Sequence, residues 1–187
     1  MRTLLIATAS LLAIAASSAS ADDPDRIRAR LTGSQEVPFV STPASGRLVA
    51  TVAADGNIDY ELSYSGLQAD ATQAHIHIGQ RGVNGGIVLW LCSSATNPAP
   101  AGIVVLTCPT RAGTVTGILK PADVRNVTAQ GFATNDLAEV VGAIRAGVAY
   151  ANVHTSASPG GEIRGQLRVR GMRKEDERDG HDGDHKH

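Results

Sequence analysis

The chain reads as an all-β protein, an antiparallel sandwich or barrel. Three observations carry that expectation. Short segments alternate apolar and polar side chains with period two, Gly, Pro and Asp interrupt them at short intervals, and only one long stretch spaces its apolar residues as a helix would.

Taken in order, "MRTLLIATASLLAIAASSASA" has a basic Arg2, an apolar run from Leu4 to Ala16 and the small residues Ala19-Ser20-Ala21. This is the layout of a secretory signal peptide over residues 1–21, and its apolar core is shorter than the roughly 20 residues of a membrane-spanning helix. No later stretch is apolar enough to span a bilayer, so the mature chain is expected to lack a transmembrane segment and to be exported, either periplasmic or secreted. One domain is expected over 22–169.

Within that domain the first strand candidate runs from Ile27 to Leu31. "GRLVATVAADGNIDYELSYSGL" then alternates on both sides of Asp55-Gly56-Asn57, a hairpin signal. In its second arm Ile58, Tyr60, Leu62 and Tyr64 face one way, with Asp59, Glu61, Ser63 and Ser65 on the wet side. Further strands are expected at Gln73 to Ile78, Ile87 to Leu91, Ile103 to Leu106, Gly113 to Leu119, Val148 to His154 and Glu162 to Val169. "KPADVRNV", with Pro121 near a first turn, suits a short helix. "TNDLAEVVGAIRAG" puts Leu137, Val140, Val141 and Ile144 on one helical stripe, with Asn135 or Thr134 as cap and Gly147 as terminator. Helices this short need docking, across an open end of the sheets. From Arg170 the chain is almost wholly charged and without an apolar face, so 170–187 is expected to be a disordered, solubilising tail. Its His181, His185 and His187, set among aspartates, can hold a divalent ion only loosely.

Composition removes several function classes. A formal net charge of −1 provides no overall basic field for nucleic acid, and 3% aromatic residues leave few stacking platforms for single strands or sugars. Cys92 and Cys108 are the only cysteines, and in an exported chain such a pair is expected to be a disulfide. The loop it closes is worth about 3 kcal/mol in the chain-entropy account. No nucleophile elbow, phosphate-binding glycine loop or suggestive carboxylate pair is present, so no enzyme is expected. Trp90, in "IVLWL", is expected in the core.

Two segments share a design. "AHIHIGQRGVNGGIVLWL" and "ANVHTSASPGGEIRGQLRV" each run from alanine to histidine, through a polar loop, to Gly-Gly and a strand. Gly85-Gly86 and Gly160-Gly161 then mark turns where glycine permits positive φ or close backbone approach. Period two places His75 and His77 on one strand face, and Asn152 and His154 on one face of the other. If those strands are neighbours, three imidazoles converge, and three histidines with an open position suit copper or zinc. Hydrogen-bonded fixtures near the turns are the competing explanation. Glu162 and Arg164 share a face, with Ile163 and Leu167 on the other and Gly165 at a close approach. Glu162 is either a fourth ligand or orienter of a histidine, or part of a cross-strand ion pair or a hydrogen bond to turn amides; the last two are preferred.

With "QEVP", "AHIHIGQRGVNGGIV", "YANVHT" and "PGGEIRGQL" in that order, the chain resembles the CHRD domain, the module named after chordin, over roughly Arg26 to Val169. In animals the module occurs in multidomain secreted antagonists of bone morphogenetic proteins, and in microbes in small exported proteins. The resemblance implies an immunoglobulin-like sandwich. Combined with the strand pattern, the expected fold is an antiparallel immunoglobulin-like β-sandwich with one or two short helices in a crossover connection. No established catalytic activity comes with the family. The His-x-His strand alone also resembles the copper-ligand strand of Cu,Zn superoxide dismutases. That family's zinc loop, however, has no counterpart between Ile78 and Cys108, and its catalytic arginine has no assignable position.

Three functional readings follow. The leading one is a non-enzymatic exported binding or adhesion module for an unknown protein or surface ligand, contacting it through loop ends Gly79 to Gly86 and Thr155 to Gly161. The alternative is a copper or zinc protein using His75, His77 and His154. The third is a dismutase-like enzyme.

Overall fold

The computed structural model describes residues 25–169, so the expected signal peptide and the expected charged tail lie outside the described residues. Alternation in the sequence becomes nine strands: β1 (Arg26–Thr32), β2 (Ser45–Val52), β3 (Ile58–Ser65), β4 (Ala71–Ile78), β5 (Ile87–Ser93), β6 (Gly113–Leu119), β7 (Ala149–Thr155), β8 (Ile163–Gln166) and β9 (Arg168–Val169). Their order is β5-β4-β7-β8-β1-β2-β3-β6, all neighbours antiparallel, with β9 also on β1.

All nine strands belong to one sheet that curls nearly into a barrel, rather than to the two facing sheets of an immunoglobulin-like sandwich. The join is between β8 and β1, where Thr32 pairs with Arg164. Gly165 makes this approach feasible: a Cβ there would stand 2.4 Å from the Arg30 carbonyl oxygen, so only glycine fits. The barrel has one unsealed seam, between β5 and β6. Across it, the Tyr60 hydroxyl of β3 donates to the Leu91 carbonyl at 2.6 Å and the Arg125 amide to the Val88 carbonyl at 2.9 Å. Carbonyls on this edge of β5 are thus satisfied without a ladder partner. The Cys92–Cys108 disulfide ties the end of β5 to the segment crossing the seam.

Side chains follow the period-two expectation closely. In β3, Ile58, Tyr60, Leu62 and Tyr64 are buried while Asp59, Glu61 and Ser65 are exposed. The β2–β3 hairpin pairs from Ser45↔Ser65 to Val52↔Ile58, and its turn needs Gly56 at φ +82° with Asp55 accepting from the Asn57 amide. No strand forms over Ile103 to Leu106. That stretch lies between Pro100 and Pro109, turns at Gly102 (φ +88°) and leaves Val104 and Leu106 exposed. Only a single bridge, Ser93↔Thr107, joins it to β5.

The connection from β6 to β7 holds the one α-helix among the described residues, α1 (Leu137–Arg145), which buries Leu137, Val140, Val141, Ala143 and Ile144. Its cap is Asp136, whose carboxylate accepts from the Glu139 amide at 3.0 Å, not Thr134 or Asn135. Asn135 instead takes a left-handed turn, φ 65°, that brings Asp136 to the helix start. Gly147, at φ +72°, ends the helix as expected. "KPADVRNV" forms only a single 3-10 turn, Pro121–Asp123. The helix docks against β7 and β9 and is tied to Asp25 by Arg145, Nε to Oδ2 2.6 Å. No described helix is long and apolar enough to cross a membrane.

Candidate metal centre

Strands β4 and β7 have both faces covered, as do their neighbours β5 and β8: β7 is buried along its whole length and β4 from Ala74 onward. On one face Ala74, Ile76, Ile78, Ala149, Ala151 and Val153 join the hydrophobic core. The other face carries His75, His77, Tyr150, Asn152 and His154, because β4 and β7 are adjacent with His75 opposite Asn152 and His77 opposite Tyr150. His154 is opposite Gln73, one same-face step from His75. Such diagonal neighbours are within reach of ring side chains.

The three imidazoles meet there. His75 Nδ1 and His154 Nε2 are 3.2 Å apart, and one ring nitrogen from each histidine lies within 4.8 Å of the others. Ring centroids are 4.9 Å apart for His75 and His154, 5.5 Å for His75 and His77, and 6.2 Å for His77 and His154. Exposure is 0%, 6% and 9% for His75, His77 and His154.

Loops bury this face. The β4–β5 loop folds back so that His77 Nδ1 donates to the Gly85 carbonyl at 2.9 Å, and the β7–β8 loop lets His154 Nδ1 donate to the Pro159 carbonyl at 2.8 Å. A Cβ on Gly85 would stand 1.6 Å from the Ile78 carbonyl oxygen and one on Gly86 would be 2.3 Å from Val127 Cγ1, so these glycines permit the approach. Gly161 needs φ +122° and presses against Glu36 and Asn152; Gly160 meets neither constraint. With both Nδ1 protons engaged by carbonyls, the Nε2 lone pairs of His77 and His154 face inward. Carbonyl partners of this kind orient metal-ligating imidazoles.

Electrostatics keep the rings neutral. Burial, then repulsion from His154 and His77, lowers the His75 pKa to about 2. Burial lowers His77 to about 4 against the pull of the Gly85 hydrogen bond, and burial lowers His154 against that of Pro159. Neutral imidazole is the form that binds a metal. His75 Nε2 and His77 Nε2 are buried without a hydrogen-bond partner, and Asn152 Oδ1 lies 3.0 Å from His154 Nε2.

The remaining candidates take other positions. Glu162 touches no histidine: it accepts from Thr42 Oγ1 (2.7 Å), the Gln68 amide (2.9 Å) and Thr155 Oγ1 (2.8 Å), fastening two turns. Arg164 makes no ion pair with it. Its guanidinium lies 3.4 Å over the Tyr150 ring and donates to Asn84 Oδ1, the Gln80 carbonyl and the Val83 carbonyl, all on the loop that carries Gly85. Tyr150 in turn stacks on His77, centroids 4.7 Å apart.

Three site residues escaped the sequence reading. Trp90 is buried as expected, but it is opposite His75 and meets its ring edge-on at 4.8 Å, on the histidine face rather than within the main apolar cluster. The apolar run around it hides this position. Tyr150 was available by counting back two residues from Asn152. Glu36, 7% exposed with Oε1 unpartnered, has no periodic signal at all; burial raises its pKa to about 7, opposed by Arg164 and the Val37 amide.

Among known proteins, no solved structure and no curated protein matches the chain. The family model of the CHRD domain matches residues 27–167. That match covers all but the first residue of β1, the strands β2 to β8, both histidine hairpins and the loops over them, so the chain belongs to the CHRD-domain family.

Proposed function

We propose that this protein binds one copper or zinc ion through His75, His77 and His154, and holds it without catalysing a reaction. The observation that carries this reading is the 3.2 Å between His75 Nδ1 and His154 Nε2. Two imidazole nitrogens bound tetrahedrally to one ion, at about 2.0–2.1 Å each, stand about 3.3 Å apart. The third nitrogen is within 4.8 Å, so closing the set to that spacing calls for a shift of at most about 1.5 Å. The unpartnered Nε2 of His77 adds support, because buried polar groups without partners are rare.

Ligand charge argues for copper in its reduced form. The converging ligands are three neutral rings with no carboxylate or thiolate among them, and the Arg164 cation lies behind Tyr150. A buried site without anionic ligands accommodates a monovalent ion at lower cost than a divalent one. The loops expected to form a contact surface are committed to covering the histidines, which places binding to a protein or surface ligand second. A dismutase-like cycle needs substrate to reach the metal, and His75 is fully buried.

The test is calorimetric titration of Cu(I), Cu(II) and Zn(II) into the whole chain carrying H181Q/H185Q/H187Q, with and without H75A/H77A. One equivalent bound tightly, with Cu(I) tightest, and lost in the H75A/H77A form is expected. No stoichiometric binding before H75A/H77A is introduced overturns the reading.

A further inference from the structure

A second feature lies away from the histidines, on the outward face of β1. Its buried residues Ile27, Ala29 and Leu31 alternate with Arg26, Arg28 and Arg30. The neighbouring strands place arginine opposite arginine: Arg30 pairs with Arg47 of β2, and Arg28 with Arg168 of β9. Directly opposed like charges destabilise a sheet, so this arrangement works against the fold unless an anion meets it. Neither of the two ion pairs among the described residues, Arg111–Asp70 and Arg145–Asp25, involves these side chains. Arg28 Nε is buried with no hydrogen-bond partner.

Two grooves run along this face and share Arg28 and Arg30. One, of about 820 Å³, adds Arg47 and the hydroxyl side chains of Ser45, Ser63, Ser65 and Thr114. The other, of about 450 Å³, adds Arg81 and Arg168. No carboxylate lines either groove. Glu61 and Asp59 share the sheet face, in the rows of Arg28 and Arg26, but stand on β3 with Val49 and Thr51 of β2 in between; the row of Arg30 and Arg47 ends instead on Ser63.

We infer that this arginine face binds an anionic polysaccharide bearing sulfate esters. Strand spacing sets the guanidinium-bearing positions about 5 Å apart across strands and about 7 Å apart along β1. That array meets several anions in a row rather than one isolated ion. Arginine matches tetrahedral oxyanions through paired N–H donors, and the groove hydroxyls match those of sugars. A single-stranded nucleic acid is held largely by stacking its bases on exposed aromatic rings. A sulfated sugar chain is held through its charged groups and does not need the stacking platforms that the composition lacks. The groove's one aromatic, Tyr64, is buried with its hydroxyl committed to the Pro109 carbonyl. A bilayer presents no chain to follow a groove. The overall charge of −1 conceals this face because acidic residues elsewhere cancel it.

The test is calorimetric titration of the whole, metal-free chain with a dextran sulfate oligosaccharide. Neutral dextran, a single-stranded oligodeoxynucleotide of equal charge and phosphatidylglycerol vesicles serve as comparisons. Saturable binding of the sulfated oligosaccharide alone, weakened at least tenfold by raising salt from 25 to 150 mM, is expected. R30Q/R47Q is expected to weaken it at least tenfold more at fixed salt, while the thermal midpoint holds or rises because a like-charge contact is removed. R125Q, away from the grooves, is expected to leave affinity unchanged. The inference is overturned by no binding, by equal binding in R30Q/R47Q, or by equally tight binding of the oligonucleotide or vesicles.

Discussion

His77 and Glu36 have opposite pH signatures, because burial disfavours the charged form of each and one charges on gaining a proton, the other on losing it. His77 falls from 6.5 to about 4 in the folded chain, so as pH drops below 6.5 the unfolded state gains a proton that the folded state refuses. Stability is therefore full above about pH 6.5 and is lost toward pH 4, by about 1.4 kcal/mol per pH unit for such a group. His75 and His154 act in the same direction. Glu36, raised from 4.5 to about 7, contributes fully below pH 4.5 and loses stability as pH rises to 7. Three histidines outweigh one glutamate, so the thermal midpoint of the metal-free protein is expected to fall between pH 6.5 and 4.5. H77Q is expected to flatten that fall. E36Q is expected to raise stability at pH 7.5 and to change nothing at pH 4, and equal effects at both values would contradict the burial argument.

The histidine-bearing strands cannot hold their rings in place without the loops beyond them. Arg164 reaches from β8 to two carbonyls and a side-chain oxygen of the β4–β5 loop, and that loop delivers the Gly85 carbonyl to His77. R164K keeps the charge but cannot reproduce the three-point contact or the flat stacking on Tyr150. It is expected to weaken metal affinity about 10-fold or more, the scale of effect for groups that orient ligands, while circular dichroism still reports a folded sheet. Unchanged affinity in R164K would remove Arg164 from any positioning role. G85A is more severe, because its methyl group collides with the Ile78 backbone. It is expected to cost about 3 kcal/mol, at the upper end for overpacking, and to abolish metal binding at temperatures where the chain remains folded.

Closure of the whole molecule depends on its seam. Where β5 and β6 fail to pair, one disulfide, one tyrosine hydroxyl and the Arg125 amide bridge the gap. C92S/C108S is expected to lower unfolding free energy by about 3 kcal/mol in urea titrations, the chain-entropy value for a loop of this length. Y60F leaves the Leu91 carbonyl without its donor and is expected to cost about 1–3 kcal/mol. A neutral Y60F would mean that water reaches the seam freely. The disulfide also fits a chain that matures in an oxidising compartment, consistent with export.

Much of this architecture was legible because its cause is local. Alternation around Asp55-Gly56-Asn57 marked both arms of the β2–β3 hairpin, the stripe Leu137, Val140, Val141 and Ile144 marked α1, and period two alone placed His75 and His77 on one face. Two cysteines in the chain left a single possible internal pairing. The rest depended on residues distant in sequence. Alternation says which side chains share a face, but not which strand lies alongside or what covers that face. Only tertiary structure set β7 beside β4, bringing His154 to His75, and joined β8 to β1 so that one curled sheet formed in place of two. Only the returning loops decided that an outward polar face would be buried, drawing in Trp90, Tyr150 and Glu36. Register and loop closure are long-range outcomes of packing, whereas periodicity is a property of each strand by itself.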